Sequence, residues 1–131
     1  MSIRRITAAP GAVGPVGPYS QAVVANGFVF TSGQIPAGPG GLDDQPESFS
    51  DQVRQAIRNL ESILTEAGSG LEHVVKVNTY LTSADQLEEY NRVYDEYFGP
   101  HRPARTSVCV SLWGVSLEIE CVAVVPGADH G

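Results

Sequence analysis

The sequence predicts an α+β fold, a mixed β-sheet with two helices packed on one of its faces. Two observations carry this. Apolar residues recur at helical spacing in two stretches, near 48–68 and 83–98, and alternate at period two elsewhere. The segments also follow the order short strands, helix, strand, helix, paired strands. At 131 residues the chain reads as a single domain spanning 1–131, large enough for a sizeable core.

Taken in order, the first 46 residues hold most of the proline and glycine, which predicts loops and short strands. Residues 23–25 and 28–32 flank Asn26-Gly27, a strong two-residue hairpin signal. Glycines beside hydroxyls in 17–21 and 32–36 fit close approach of backbone to a ligand, though ordinary turn chemistry accounts for them more simply. Residues 38–46 read as a flexible loop. Ser48 followed by Asp51 resembles a capping box and opens a helix. Val53, Ala56, Ile57, Leu60, Ile63, Leu64 and Ala67 form its buried stripe, and Gly68 ends it.

Residues 74–81 alternate as a strand, with Lys76, Asn78 and Tyr80 on one side. Lys76 offers a Schiff-base amine in principle, and a solvated strand lysine accounts for it more simply. Ser83 with Gln86 makes a second capping box, and the helix behind it reaches Phe98. Leu87, Tyr90, Tyr94 and Phe98 form its stripe. Asn91 falls on the same stripe, so its amide needs a partner, either a loop or a ligand.

In residues 103–112, Val108, Val110 and Leu112 fall on one side, with Arg105, Ser107, Cys109 and Ser111 on the other. In 117–124, Leu117, Ile119, Cys121 and Ala123 oppose Glu118, Glu120, Val122 and Val124. Residues 113–116 read as the connection of a hairpin, which projects Arg105, Glu118 and Glu120 from one polar face. A guanidinium fork binds a carboxylate bidentately, and a nearby carboxylate positions or deprotonates water. An edge hairpin with a solvated face explains the same pattern. With Leu112 paired to Leu117, Arg105 and Glu118 stand roughly 20 Å apart along the sheet, too far to share one small molecule within a chain. The half-apolar face opposite the helices calls for a partner, most economically another copy of the chain.

Composition excludes several classes. The net charge is −7, and Lys76 with seven arginines supplies every cation, which argues against nucleic-acid or anionic-membrane partners. No run approaches the roughly 18 apolar residues of a membrane span. Residues 1–9 lack the apolar core of a secretory signal. Cys109 and Cys121 fall on opposite faces of the expected hairpin, so they stay reduced, as in the cytoplasm. His73, His101 and His130 show no metal-ligand spacing, and no glycine-rich turn opens a helix after a strand.

Together, 17–22, 31–36, Asn91 followed by Tyr94 and Phe98, Pro103-Ala104-Arg105-Thr106 and Glu118-Ile119-Glu120 resemble the RidA/YjgF reactive-intermediate deaminases. The resemblance covers nearly the whole chain. It implies a chorismate-mutase-like fold and a homotrimer with inward-facing sheets and three clefts between subunits. It also implies hydrolysis of 2-imino acids, such as those formed from 2-aminoacrylate, to 2-keto acids and ammonia without a cofactor or metal. By the same resemblance Arg105 grips the substrate carboxylate, Glu118 holds the attacking water and Tyr19 closes the cleft. Ser32, Gly33 and Asn91 line it, with Ser107 where the family often has cysteine. An imine carbon is already electrophilic, so positioning and one carboxylate suffice for such chemistry.

Two departures stand out: Ser107 itself, with Cys109 displaced by two, and a shorter segment between Arg105 and Glu118. Glu118 and Glu120 share a strand face, and only the resemblance selects Glu118. A non-catalytic small-ligand-binding or regulatory trimer of the same fold is the alternative function. A chorismate-type isomerase is more distant, because the chain has few cations for a dicarboxylate.

Overall fold

A computed structural model describes residues 2–127. Six strands, β1 (Ile3–Ile6), β2 (Ala22–Ala25), β3 (Phe28–Thr31), β4 (Val74–Leu81), β5 (Ala104–Cys109) and β6 (Leu117–Val124), form one sheet in the order β1-β2-β3-β6-β4-β5. Helices α1 (Phe49–Glu66) and α2 (Leu87–Phe98) pack together on one face. The architecture is the α+β sheet with two helices that the periodicities predict. His130 lies outside the described residues.

Local signals placed the elements well. Asn26 and Gly27 both take positive φ, 51° and 79°, the tight-turn geometry that twists with the β2–β3 hairpin. Ser48 caps α1 by accepting from the Asp51 amide, and every predicted stripe residue from Val53 to Ala67 is buried. Ser83 and Gln86 form the reciprocal capping box, though it opens a short 3₁₀ turn that leads into α2. In α2 the buried residues are Tyr90, Val93 and Phe98; Leu87 and Asn91 are exposed. Asn91 is therefore not a buried amide in need of a partner. Lys76 is a solvated strand lysine whose ammonium donates to Thr106 Oγ1.

The hairpin expected over 103–124 does not exist. β4 lies between β5 and β6, parallel to the first and antiparallel to the second. The reason is the intervening helix: β4, α2 and β5 form a crossover unit, and a crossover helix lays its second strand parallel beside the first. β6 then inserts on the other side of β4. Residues 110–116 span the end of β4 instead of making a tight turn. Val115 anchors this segment in a small cluster with Val13, Ile35 and Ala37, against which Leu112 packs.

The loop 38–44, expected to be flexible, is tied by its own hydrogen bonds. Gly38 N–H donates to Asp44 O, Asp44 N–H to Gly41 O, and Gly40 N–H to the Asp44 carboxylate. β1 carried no local signal. Its four residues pair with β2, and Arg4 reaches across to donate to Glu66 O at the end of α1.

Candidate functional site

The sheet separates the site residues. Register places Arg105 beside Val77 and Glu118 beside Tyr80. Val77 is fully buried under the helices, whereas Tyr80 points to the helix-free face. Arg105 thus lies on the helix side and Glu118 on the open side. Three residues along β4 and two strand spacings put their Cα atoms about 14 Å apart. The shared polar face and the separation of roughly 20 Å both fall with the hairpin. One chain still cannot bring the two residues to one small molecule, because the sheet itself stands between them.

Glu118 heads a cleft of about 650 Å³ lined also by Tyr19, Ser32, Gly33, Val16, Leu42 and Trp113. Its floor is a knot of loop backbone. Gln34 and Ile119 exchange both backbone hydrogen bonds, at 2.7 and 3.0 Å, which press residues 32–34 against the start of β6. The buried Gln34 amide donates to Gln21 Oε1, and the Gln21 amide donates to Val13 O. Asn59, buried on α1, donates to Ile35 O and Ala37 O. Ser32 Oγ donates to Ser20 O. Against this fixed backbone the Glu118 carboxylate lies so close to Gly33 that an added Cβ would stand 2.8 Å from Oε1. Gly33 is thus a close-approach glycine, not a turn glycine. Tyr19 folds over Gly17, and its hydroxyl accepts from the Val16 amide.

Burial and then the neighbouring Glu120 charge push the Glu118 carboxyl above the ordinary carboxylate range. Glu120 faces Tyr80, whose phenol is raised by burial and by contact with that carboxylate. Glu118 is the one of the pair that lines the cleft.

Arg105 belongs to a second, smaller concavity of about 280 Å³ between α2 and the start of β5, shared with Asn91, Tyr94 and Phe98. Its guanidinium stands 4.7 Å from the Tyr94 ring centroid and 5.5 Å from that of Tyr90. Among the described residues it has no ion-pair partner. The hydroxyls of Tyr94 and Ser107 are buried without hydrogen-bond partners. Burial pushes the Tyr94 phenol up to about 12, with Arg105 opposing the rise.

The predicted residues therefore form two groups: Tyr19, Ser32, Gly33 and Glu118 on one, Arg105, Asn91 and Ser107 near the other. Trp113, Leu42 and Val16 in the larger cleft were not among the candidates. Trp113 sits in the expected hairpin connection, and the placement of the single tryptophan there is the signal that points to it; in the structure it is half exposed. Cys109 and Cys121 are both free, but they lie on the same side of the sheet with β4 between them, not on opposite faces. Among the described residues no cluster of His, Cys, Asp and Glu could hold a metal ion, and no helix is long and apolar enough to cross a membrane.

Comparison with known proteins adds the following. Residues 9–125 match the model of the family described as Endoribonuclease L-PSP. A RutC family protein of Aquifex aeolicus is 46% identical over 119 residues, covering 88% of this chain and 94% of its own. The protein mmf1, mitochondrial, of Schizosaccharomyces pombe is 44% identical over 113 residues, covering 82% of this chain and 68% of its own. Among solved structures, a putative endoribonuclease of Thermotoga maritima superposes with a TM-score of 0.88 at 40% identity, covering 95% and 99% of the two chains. The TdcF protein of E. coli, solved with bound serine, superposes at 0.85 with 34% identity, covering 92% and 98%.

Proposed function

The chain belongs to the Endoribonuclease L-PSP family, the RidA/YjgF proteins, and on that premise we propose that it hydrolyses 2-imino acids to 2-keto acids and ammonia. The reaction adds water across the C=N bond and expels ammonia, leaving C=O in its place. Arg105 takes the substrate carboxylate, its guanidinium fixed by Tyr94 and Tyr90 and its fork free of any carboxylate of the described chain. Asn91 and Ser107 add hydrogen-bonding groups on that side. Glu118 orients the water and receives its proton, and burial with the nearby Glu120 charge makes it a stronger base than an ordinary carboxylate. Ser32 and Gly33 border the water position, and Tyr19 covers it.

The observation that carries the reading is the placement of an unpaired Arg105 and a cleft-lining Glu118 on opposite faces of one sheet. Each side is half of a site for a small anionic electrophile. The halves meet if the β5 edge of one copy, which carries Arg105 beside α2, abuts the Glu118 cleft of the next, and the helix-free face on the Glu118 side adds exposed Phe28, Phe30 and Val108 to such a contact. A homotrimer with clefts between subunits satisfies this. The acidic net charge of −7 speaks against RNA as the substrate, despite the family's description.

A second reading, a non-catalytic amino-acid or keto-acid sensor on the same assembly, draws support from the similar TdcF protein solved with serine. Ammonia and keto-acid release from freshly generated 2-iminopropanoate, with and without the protein, decides between them. Subunit mixing tests the shared site. Arg105→Ala and Glu118→Gln are each expected to be inactive, whereas random co-assembly gives both intact residues to about a quarter of the clefts. Verified mixed oligomers without restored activity would place both residues in one chain's site or remove one from catalysis.

A further inference from the structure

We infer that the Glu118 cleft selects 2-imino acids with large apolar side chains, and that Trp113 is the residue that sets this preference. The inference rests on the deaminase reading for its chemistry and goes beyond it in naming the substrate class. A three-carbon imino acid needs only a small part of a cleft of about 650 Å³. The polar lining, Ser32, Gly33 and Glu118, is gathered at the foot of β6. The rest of the wall is the Tyr19 ring and three apolar side chains, Trp113, Leu42 and Val16, exposed by 50%, 43% and 44%.

This wall is built, not incidental. Trp113 takes no part in the small cluster of Val13, Ile35, Ala37 and Val115; Leu112 and Val115 pack inward on its two sides. Gly114, at φ +88°, makes the turn that a side chain resists, and it follows Trp113 directly. The Gln45 side-chain amide then ties the two loops of the wall together. It donates to Leu42 O at 2.8 Å and to Gly114 O at 3.3 Å. Leu42 itself is carried on the loop that Asp44 holds shut. Two segments distant in sequence are thus fixed so that a leucine and a tryptophan face one space. An indole plane and a leucine tip have little to hold in a methyl-bearing substrate, but they enclose an aryl or branched alkyl group well. Once the carboxylate and the imine carbon are fixed, the side chain of the substrate is the part left to meet this wall.

The experiment compares imines generated in situ from alanine and phenylalanine by an amino-acid oxidase with catalase present. The wild type is expected to give the higher kcat/KM on the phenylalanine-derived imine. Trp113→Ala is expected to lower that value about 10- to 100-fold while changing the alanine-derived value less than about threefold. Trp113→Phe should restore most of the loss, and Leu42→Ala should lower the same substrate selectively. Wild-type preference for the smaller imine, or equal loss on both in Trp113→Ala, overturns the inference. If the wild type turns over neither imine, the deaminase reading fails. Titration with phenylpyruvate and pyruvate then tests the wall by itself. Weaker phenylpyruvate binding in Trp113→Ala, with pyruvate unchanged, upholds it, and pyruvate binding as tightly as phenylpyruvate to the wild type overturns it.

Discussion

Gly33→Ala separates the chemistry of Glu118 from the stability of the fold. Gly33 does not occupy the left-handed region, so alanine is compatible with its backbone. The added methyl meets Glu118 Oε1 at 2.8 Å. The backbone of residue 33 has no room to retreat, because its neighbour Gln34 is locked to Ile119 by two hydrogen bonds of 2.7 and 3.0 Å. The carboxylate, at the end of a flexible side chain, moves instead. It gives way by about 0.6 Å, the difference between 2.8 Å and the 3.4 Å at which ordinary contact begins. Stability should hardly change: the thermal midpoint is expected to stay within about 5 °C, since the substitution also narrows the unfolded ensemble. Activity should fall about 10- to 100-fold, because misplacement of a catalytic group by about 1 Å costs that order of rate. Ammonia release from 2-iminopropanoate, a thermal melt and keto-acid titration measure the three quantities. In a Glu118→Gln background the same substitution should add nothing, since the two act through one contact. Full activity in Gly33→Ala would mean that the position of the Glu118 carboxylate does not limit turnover. A large loss of stability would mean that the contact is structural.

Two further expectations follow from the separate halves. Arg105→Lys keeps the charge but loses both the fork and the stacking on Tyr94. It should weaken pyruvate binding almost as much as Arg105→Ala, by roughly 10-fold or more for each charge-assisted bond lost, and calorimetry showing near-wild-type affinity in Arg105→Ala removes the anchor role. The Glu118 carboxyl is raised by burial and then by Glu120, and the ionised form is the active one. The acidic limb of kcat/KM should therefore lie above the ordinary carboxylate range and move to lower pH in Glu120→Gln; a limb that stays put or moves up contradicts the assignment.

What could be seen in the sequence was local. α1 announced itself through a cap, a seven-residue stripe and a terminating glycine, each satisfied within a few residues. The β2–β3 hairpin followed from Asn26-Gly27, because few dipeptides tolerate two consecutive positive φ angles. β1 failed because IRRI has no alternating pattern, and its identity as a strand comes from pairing with β2, sixteen or more residues away. Asn59 looked like one polar residue among many on α1, yet it holds the loop behind Gly33, a role that only the fold reveals.

The hairpin error is the instructive one, since it concerned the site. Within β5 and β6 alternation assigned the faces of each strand correctly: Arg105, Ser107 and Cys109 do share a side, as do Glu118 and Glu120, whereas Val110, Ser111 and Leu112 lie past the end of β5. It could not relate the faces of two different strands, because that depends on which strand lies between them. The missing information was present in another form. A strand, a helix and a strand in succession specify a parallel crossover, and this outranks a turn that lacks an Asn-Gly or Asp-Gly pair. Once β4 is placed beside β5, the sheet becomes a partition. Arg105, stacked on the aromatics of α2, and Glu118, pressed against Gly33, lie on its two sides. No rotamer carries a guanidinium through a sheet whose central residues Val77, Thr79 and Ile119 are all at least 99% buried. If both groups act on one imino acid, the second copy of the chain is part of the chemistry, and the exposed Phe28 and Phe30 on the Glu118 face give it a surface to bind.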